Sequence, residues 1–286
     1  ETGTMANLLP GHRNLADAAD RAELAALWNI PALPEKPGKT AVELFDALAD
    51  GSIKAVWIAC TNPAQSLPDL TKVRAALTQA EFVVVQDAWG DTETAAYADL
   101  LLPAATWGEK EGTVTNSERR ISRVRAAVPP PGEARADWRI ARDFGRKLAT
   151  KVSPGGTALF DFLSEEEVYA EYVKTTVGRD LDIGGLSHEA LDRLGPTQWP
   201  YRENTGTARL YTDHRFAFPD GKAKFIALDT RLTAEAPDAR HPFRLLTGRL
   251  RDQWHGMSRT GRIPRLYSHE PEPRIEIHAS DLHRRG

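Results

Sequence analysis

The sequence predicts an α/β fold built on a parallel sheet with helices on both faces. Three observations carry this reading. Segments 53–60, 82–85 and 100–103 are short and almost continuously apolar, as strands buried on both faces must be. They alternate with stretches of helical period at 40–51, 70–77 and 92–98. Polar turn residues follow the first two apolar runs, Thr61-Asn62-Pro63 and Gln86-Asp87. In such sheets ligands sit beyond the carboxyl ends of the strands, so these two turns and the loop after Leu102 are the candidate binding loops.

The elements follow in order. A short helix is expected near 16–27, then a Pro-rich connector over 31–37. Thr40-Ala41-Val42-Glu43 is a capping box, Val42, Phe45 and Leu48 share one helical face, and Gly51 ends the helix. The three strands and two further helices then complete a Rossmann-like unit through about residue 150. A second region begins near Ser153-Pro154-Gly155-Gly156, where Ser164-Glu165-Glu166-Glu167 opens a helix running to about Val173. Residues 178–240 are rich in Gly and Pro and carry short β-like runs at 209–211 and 224–228, which suits an irregular connector over 151–240. From Phe243 the pattern is β-like again, including 243–246 and 274–278.

Composition excludes several functions. With 286 residues and 41% hydrophobic content, the chain can bury one large core or two smaller ones. The net charge of −3 gives no basic field for nucleic acid. The single cysteine, Cys60, excludes an internal disulfide framework or a Cys-rich cluster and fits a reducing compartment. It lies in an apolar run and reads as a small core residue. No apolar stretch reaches membrane-spanning length and no secretory signal opens the chain. The chain starts at Glu1, its first Met is Met5, and 280–286 resembles the start of an element; a piece of a longer polypeptide is expected.

Gly38-Lys39-Thr40 has the tail of a phosphate loop, but the glycine required five residues earlier is Leu33, so the segment is read as a helix cap. Asp87, at a strand end, suits either a ribose or purine contact or a cap for the next helix. Lys110, in the charged, Gly-rich stretch 107–120, is either a phosphate point charge or part of a solvated loop, and Asn116 suits a turn there. The densest segment is Thr247-Gly248-Arg249-Leu250-Arg251-Asp252-Gln253-Trp254-His255-Gly256, continuing through Arg259 to Gly261. Glycine permits close backbone approach, and arginines neutralise phosphates, so this is either a grip for a large anion or a solvated loop. A lone His such as His255 is more often structural than catalytic.

Several stretches together carry a resemblance: ETGTMANLLPGHR at 1–13, WIACTNPAQSLPD at 57–69, Val84 to Asp87, YADLLLPAATWGEKEGTVTNSERR at 97–120, and 247–261. With these the chain resembles the molybdopterin oxidoreductases, a family binding two molybdopterin guanine dinucleotides. GPTQWP at 195–200 and FPDGKA at 218–223 resemble the assimilatory nitrate reductase branch. The resemblance implies that Asn62, Gln86 and Asp87 meet the guanosine part of one dinucleotide. It implies Lys110 at the phosphates or ribose, and Asp137 at the guanine edge or holding its loop. Thr247, Gly248, Arg249, Trp254 and His255 would hold pterin and pyrophosphate. Gly256 stands where the family has Thr, which removes one hydroxyl donor.

The same resemblance divides the chain into a cofactor-binding α/β domain (1–150), a connecting region (151–240) and the opening of a dinucleotide-binding β-barrel (241–286). It implies reduction of nitrate to nitrite in the cytoplasm, for nitrate assimilation, on a molybdenum bis(molybdopterin guanine dinucleotide). The [4Fe–4S] cluster and the molybdenum ligand belong to a preceding part; no residue here is expected to be catalytic or to bind metal. Electrons would come from ferredoxin, flavodoxin or an NADH-linked flavoprotein, and this polypeptide alone is expected to be inactive. Two alternatives remain open: a formate dehydrogenase of the same family, and a cofactor-free structural subunit of the NADH dehydrogenase type. The polar set Lys110, Asp137 and 247–256 argues against the second.

Overall fold

The computed structural model describes residues 8–152, 156–231, 233 and 235–285. The junction at 153–155, where the sequence places the start of the second region, and the opening residues 1–7 with Met5 lie outside the described residues.

Helix α1 (Ala18–Leu27) starts at Asp17, whose side chain accepts from the N–H groups of Ala19 and Asp20. Helix α2 (Ala41–Ala49) carries the complete capping box: Thr40 Oγ1 and the Glu43 carboxylate each satisfy the other's backbone N–H. Strand β1 (Ala55–Ala59) follows, then a single turn α3 (Pro63–Ser66), helix α4 (Leu70–Gln79), strand β2 (Phe82–Asp87) and strand β3 (Leu100–Pro103). The three strands pair in parallel in the order β1-β2-β3, with Ala59 opposite Gln86 and Asp87 opposite Pro103.

Alternation along the strands sorts the side chains onto two faces. Val56, Ile58, Val83 and Val85 pack with Phe45 and Leu48 of α2 and Val73, Ala76 and Leu77 of α4. On the other face the Trp57 ring meets Phe144 edge-on at 5.0 Å, from helix α5 (Asp137–Val152). Both faces therefore carry helices, as expected. The second is less filled: a groove of about 480 Å³ runs between Val84, Leu102, Ile140 and Phe144.

The β4 (Gly112–Thr115) and β5 (Arg120–Val124) strands form an antiparallel pair, extended by β6 (Thr197–Gln198). Asn116 makes their turn, its Oδ1 accepting from the N–H groups of Glu118 and Arg120. Helix α6 (Glu165–Thr176) has Ser164 as cap, but Glu167 reaches back one residue further than a capping box, accepting from Leu163 N. Helix α7 (His188–Leu194) and the short pair β7 (Tyr201–Arg202) and β8 (Thr205–Gly206) follow. Tyr169, Val173, Leu181, Ile183, Leu186, Leu191, Trp199 and Tyr201 close a second hydrophobic core around Ile121. Aperiodic residues after 178 thus contribute to packing.

Three expectations are corrected. The helix over 92–98 is only a 3₁₀ turn (Ala95–Tyr97): Tyr97 and Ala98 N–H close i→i+3 bonds to Thr94 and Ala95 O, and Asp99 N–H already bonds Val83 O of β2. Cys60 is neither in the strand nor in the core. It follows β1 in the left-handed region (φ 58°) and is exposed. The β-like runs at 209–211, 224–228, 243–246 and 274–278 form no ladder among the described residues. Apolar pattern alone does not make a strand without a partner for its N–H and C=O groups; Leu245 and Leu246 accordingly stand 87% and 89% exposed. The last elements are helices α8 (Pro264–Tyr267) and α9 (Ala279–Arg285).

Candidate functional site

The carboxyl ends of β1 and β2 carry a polar cluster drawn from three parts of the chain. Cys60 N–H donates to Gln86 O at 2.9 Å, which fixes the first residue beyond β1 against the end of β2. A parallel bridge between Ala104 and Arg135 lays the approach to α5 beside the end of β3. Asp137, the first residue of α5, thereby arrives over the strand ends. Its Oδ1 accepts from Gln86 Nε2 at 2.8 Å and from Cys60 Sγ at 3.5 Å. Its Oδ2 accepts from Lys110 Nζ at 2.7 Å.

Lys110 is held from behind. The turn Trp107–Glu109 is closed by a Thr106–Glu109 capping box, and the ammonium lies 5.4 Å from the Trp107 ring centroid. Partial burial pushes the Asp137 carboxyl up, but hydrogen bonds from Lys110 and Gln86 outweigh it and hold it below the usual carboxylate range. The position at a helix N-terminus favours the anion too. Although the residue is exposed as a whole, partial desolvation of its sulfur and then the Asp137 charge push the Cys60 thiol up to about 11, so it is a donor and not a nucleophile at neutral pH.

Of the residues singled out in the sequence, Gln86, Lys110 and Asp137 meet directly. Asn62 stands two residues beyond Cys60 in a separate network. Its Nδ2 donates to Glu93 at 2.7 Å and its Oδ1 accepts from Thr94 Oγ1 at 2.6 Å. Asp87 accepts from Trp89 N at 3.2 Å in an Asx-type turn, while the next helical turn, Ala95–Tyr97, starts at Thr94 and not at Asp87.

The 247–261 loop is docked onto the same end of the sheet. Asn62 donates to Gln65 Oε1, and Gln65 Nε2 donates to Gly256 O, each at 3.3 Å. Arg262 hydrogen-bonds Asp91 and stacks over the Trp89 ring at 4.4 Å. Within the loop Arg249 lies 5.2 Å from the Trp254 ring centroid, and Trp254 meets His255 edge-on at 4.5 Å. Thr247, Gly248 and Arg249 are exposed, so the loop presents its cation outward. Among the described residues no hydrogen bond, ion pair or ring contact joins Arg249, Trp254 or His255 to Lys110 or Asp137.

Sequence reasoning missed four participants. Cys60 was assigned to the core. Gln65, Trp89 and Arg262 join loop to sheet across large sequence separations, which no local pattern signals. The combined surface offers a carboxylate with two acceptor oxygens, a flanking ammonium and an exposed guanidinium. A carboxylate of this kind accepts from two neighbouring N–H groups of a heterocycle, while the cations match phosphate. No group of three or more His, Cys, Asp or Glu suited to a metal occurs among the described residues.

Two family models match the chain: "Molybdopterin oxidoreductase" over residues 2–147 and "Molydopterin dinucleotide binding domain" over 243–286. Among similar proteins is a nitrate reductase of Synechocystis, 43% identical over 96% of this chain and 38% of its own length. The assimilatory nitrate reductase catalytic subunit of Bacillus subtilis is 36% identical over 97% of this chain and 40% of its own length. An F420-dependent formate dehydrogenase subunit alpha of Methanocaldococcus jannaschii is 36% identical over 98% and 40%. The chain thus spans about two fifths of the length of these relatives. The first model covers half of the chain, the second falls on the loop docked at the strand ends, and the chain belongs to the molybdopterin oxidoreductase family.

Proposed function

We propose that this chain is the cofactor-holding C-terminal part of a molybdenum-dependent nitrate reductase catalytic subunit, and that it binds molybdopterin guanine dinucleotide. The observation that carries this is the Asp137 carboxylate, ionised, at a helix N-terminus, with Lys110 beside it at the carboxyl ends of a parallel sheet.

The donor set fits the cofactor. Asp137 offers two oxygens to guanine N1–H and its amino group, and Gln86 keeps the carboxylate oriented. Lys110 is placed to turn toward phosphate or ribose. Asn62 and Asp87 border the guanosine, and Arg249 supplies charge to the pyrophosphate. Thr247, Gly248, Trp254 and His255 line the pterin side. When bound, the molybdenum–pterin group supplies the two-electron reduction of nitrate to nitrite by oxygen-atom transfer. These residues bind and orient; none holds the metal. A [4Fe–4S] cluster and the metal ligand are assigned to the preceding part of the polypeptide. A ferredoxin, flavodoxin or NADH-linked flavoprotein is the electron donor, and nitrate assimilation in the cytoplasm is the physiological setting. This chain alone is inactive.

Formate oxidation is the second reading, favoured by the similarity to formate dehydrogenase subunits. Assay of the full-length polypeptide separates the two. Nitrate-dependent oxidation of reduced viologen is expected; formate-dependent viologen reduction without nitrate turnover would replace the first reading by the second.

A further inference from the structure

Helix α7 meets the second core through a histidine buried with one ring nitrogen unpaired. His188, its first residue, is 8% exposed, and its Nε2 has no hydrogen-bond partner. The ring stacks on Tyr169 of α6, with centroids 5.5 Å apart and planes 24° from parallel. The Tyr169 hydroxyl is buried and unpartnered too, so the stack brings no hydrogen bond with it. A neutral imidazole tolerates such a place at modest cost. An imidazolium there would leave both a charge and a donor unmatched.

The charged groups that face the ring come from α7, β5, α6 and the approach to β4. Asp192 stands one turn along α7 from His188, on the same face. It bonds Arg123 of β5 at 3.1 Å and Arg125 at 2.6 Å. Glu111, just before β4, bonds Arg123 at 2.9 Å. Both carboxylates are thus committed to arginines, and the Arg123 guanidinium, 12% exposed, lies where α7 meets β5. Glu166 of α6 is exposed to water. Burial and then Arg123 hold His188 below the ordinary histidine value, against the pull of Glu166, Asp192 and Glu111.

We infer that His188 is an acid-sensitive latch: neutral, it holds α7 on α6 and β5; protonated, it sets residues 187–198 loose while the parallel sheet stays folded. The unit is small enough to open by itself. Helix α7 has seven residues, and the two-residue β6 pairs only with Arg120 and Ile121 of β5. The parallel sheet has its own core, which shares no residue with the one around Ile121. The folded state prefers neutral His188, whereas the opened segment takes the proton at the ordinary value of about 6.5. The latch is therefore fully effective above that value. It weakens as pH falls from there toward the lower folded-state pKa, where the loss levels off.

The test is hydrogen exchange on the full-length protein at about pH 7.5 and about pH 5.5, each corrected for the intrinsic exchange rate. In wild type the opening of 187–198 should be several-fold more populated at the lower pH. The limit is about tenfold, since one proton is taken up over one pH unit below the ordinary histidine value. Peptides from β1 and β2 should not change. His188→Phe keeps the ring stack and cannot titrate; His188→Gln cannot titrate and keeps a polar side chain. In either variant the pH response over 187–198 should vanish, so one folded variant suffices. Equal opening at both pH values in wild type overturns the latch. So does a response that survives in a folded variant, which would assign it to carboxylates such as Asp192. A response spread equally over β1 and β2 overturns it too, because the opening would then be global.

Discussion

Lys110 Nζ lies 2.7 Å from Asp137 Oδ2, a pairing across 27 residues of chain that closes over the ends of two parallel strands. Neither partner is fully buried, at 23% and 34% side-chain exposure, so this is not a structural ion pair of the deep core. Pairs of this exposure contribute little to stability and remain free to exchange partners. An ammonium that can leave a carboxylate for a phosphate, and a carboxylate that can accept from a base instead, suit a site that is filled by a nucleotide.

The pH dependence of stability follows from Asp137. Its folded-state carboxyl is held below the ordinary carboxylate value of about 3.9. The stabilisation is thus complete above that value and is lost as pH falls through the folded pKa. Melting temperatures of wild type and Asp137→Asn should differ most at neutral pH and converge as pH falls through the lowered folded-state pKa of Asp137. Lys110→Met should shrink the difference, since the chief stabilising partner of the anion is gone. Curves that stay parallel into acid would show that the carboxylate is not held by its neighbours.

Cys60 reports the same charge. Its thiol is pushed up to about 11, in part by Asp137. At pH 8 iodoacetamide should therefore modify it slowly. Asp137→Asn removes the negative charge, lowers the thiol pKa and should speed modification several-fold at equal pH. An unchanged pH–rate profile would mean that enclosure alone sets the thiol.

Much of the sheet was legible because it is local. Val83-Val84-Val85 has no other reading than a buried strand, and Thr40 with Glu43 writes its helix start into four residues. Cys60 misled because apolar character continues past the last ladder residue, while the turn that follows depends on the hydrogen bond to Gln86. Leu181, Ile183 and Leu186 belong to no regular element, so their place in the second core has no periodic signal. The resemblance pointed to Lys110 and Asp137 separately; that they meet is a consequence of the Ala104–Arg135 bridge.

Gly256 packs closely against Gln65 of α3. A Cβ there would lie 1.7 Å from Gln65 Oε1. Because that atom ends a flexible side chain, Gln65 can move aside, at the loss of its bonds to Asn62 and Gly256. Gly256→Ala should destabilise by about 1 kcal/mol. Gln65→Ala in the same chain should recover most of it, giving a coupling of at least about 0.5 kcal/mol in a double-mutant cycle. Additive effects in urea unfolding would place the loop away from Gln65.

The nucleotide itself gives the most direct measurement. Mild acid treatment of the full-length protein, followed by chromatography of what is released, identifies the base and its amount relative to pterin. The Asp137 site predicts GMP, equimolar with pterin in wild type, and a loss of at least about tenfold in retained GMP and pterin in Asp137→Ala. Release of CMP, of no nucleotide, or of undiminished GMP from the variant would contradict guanine recognition by Asp137.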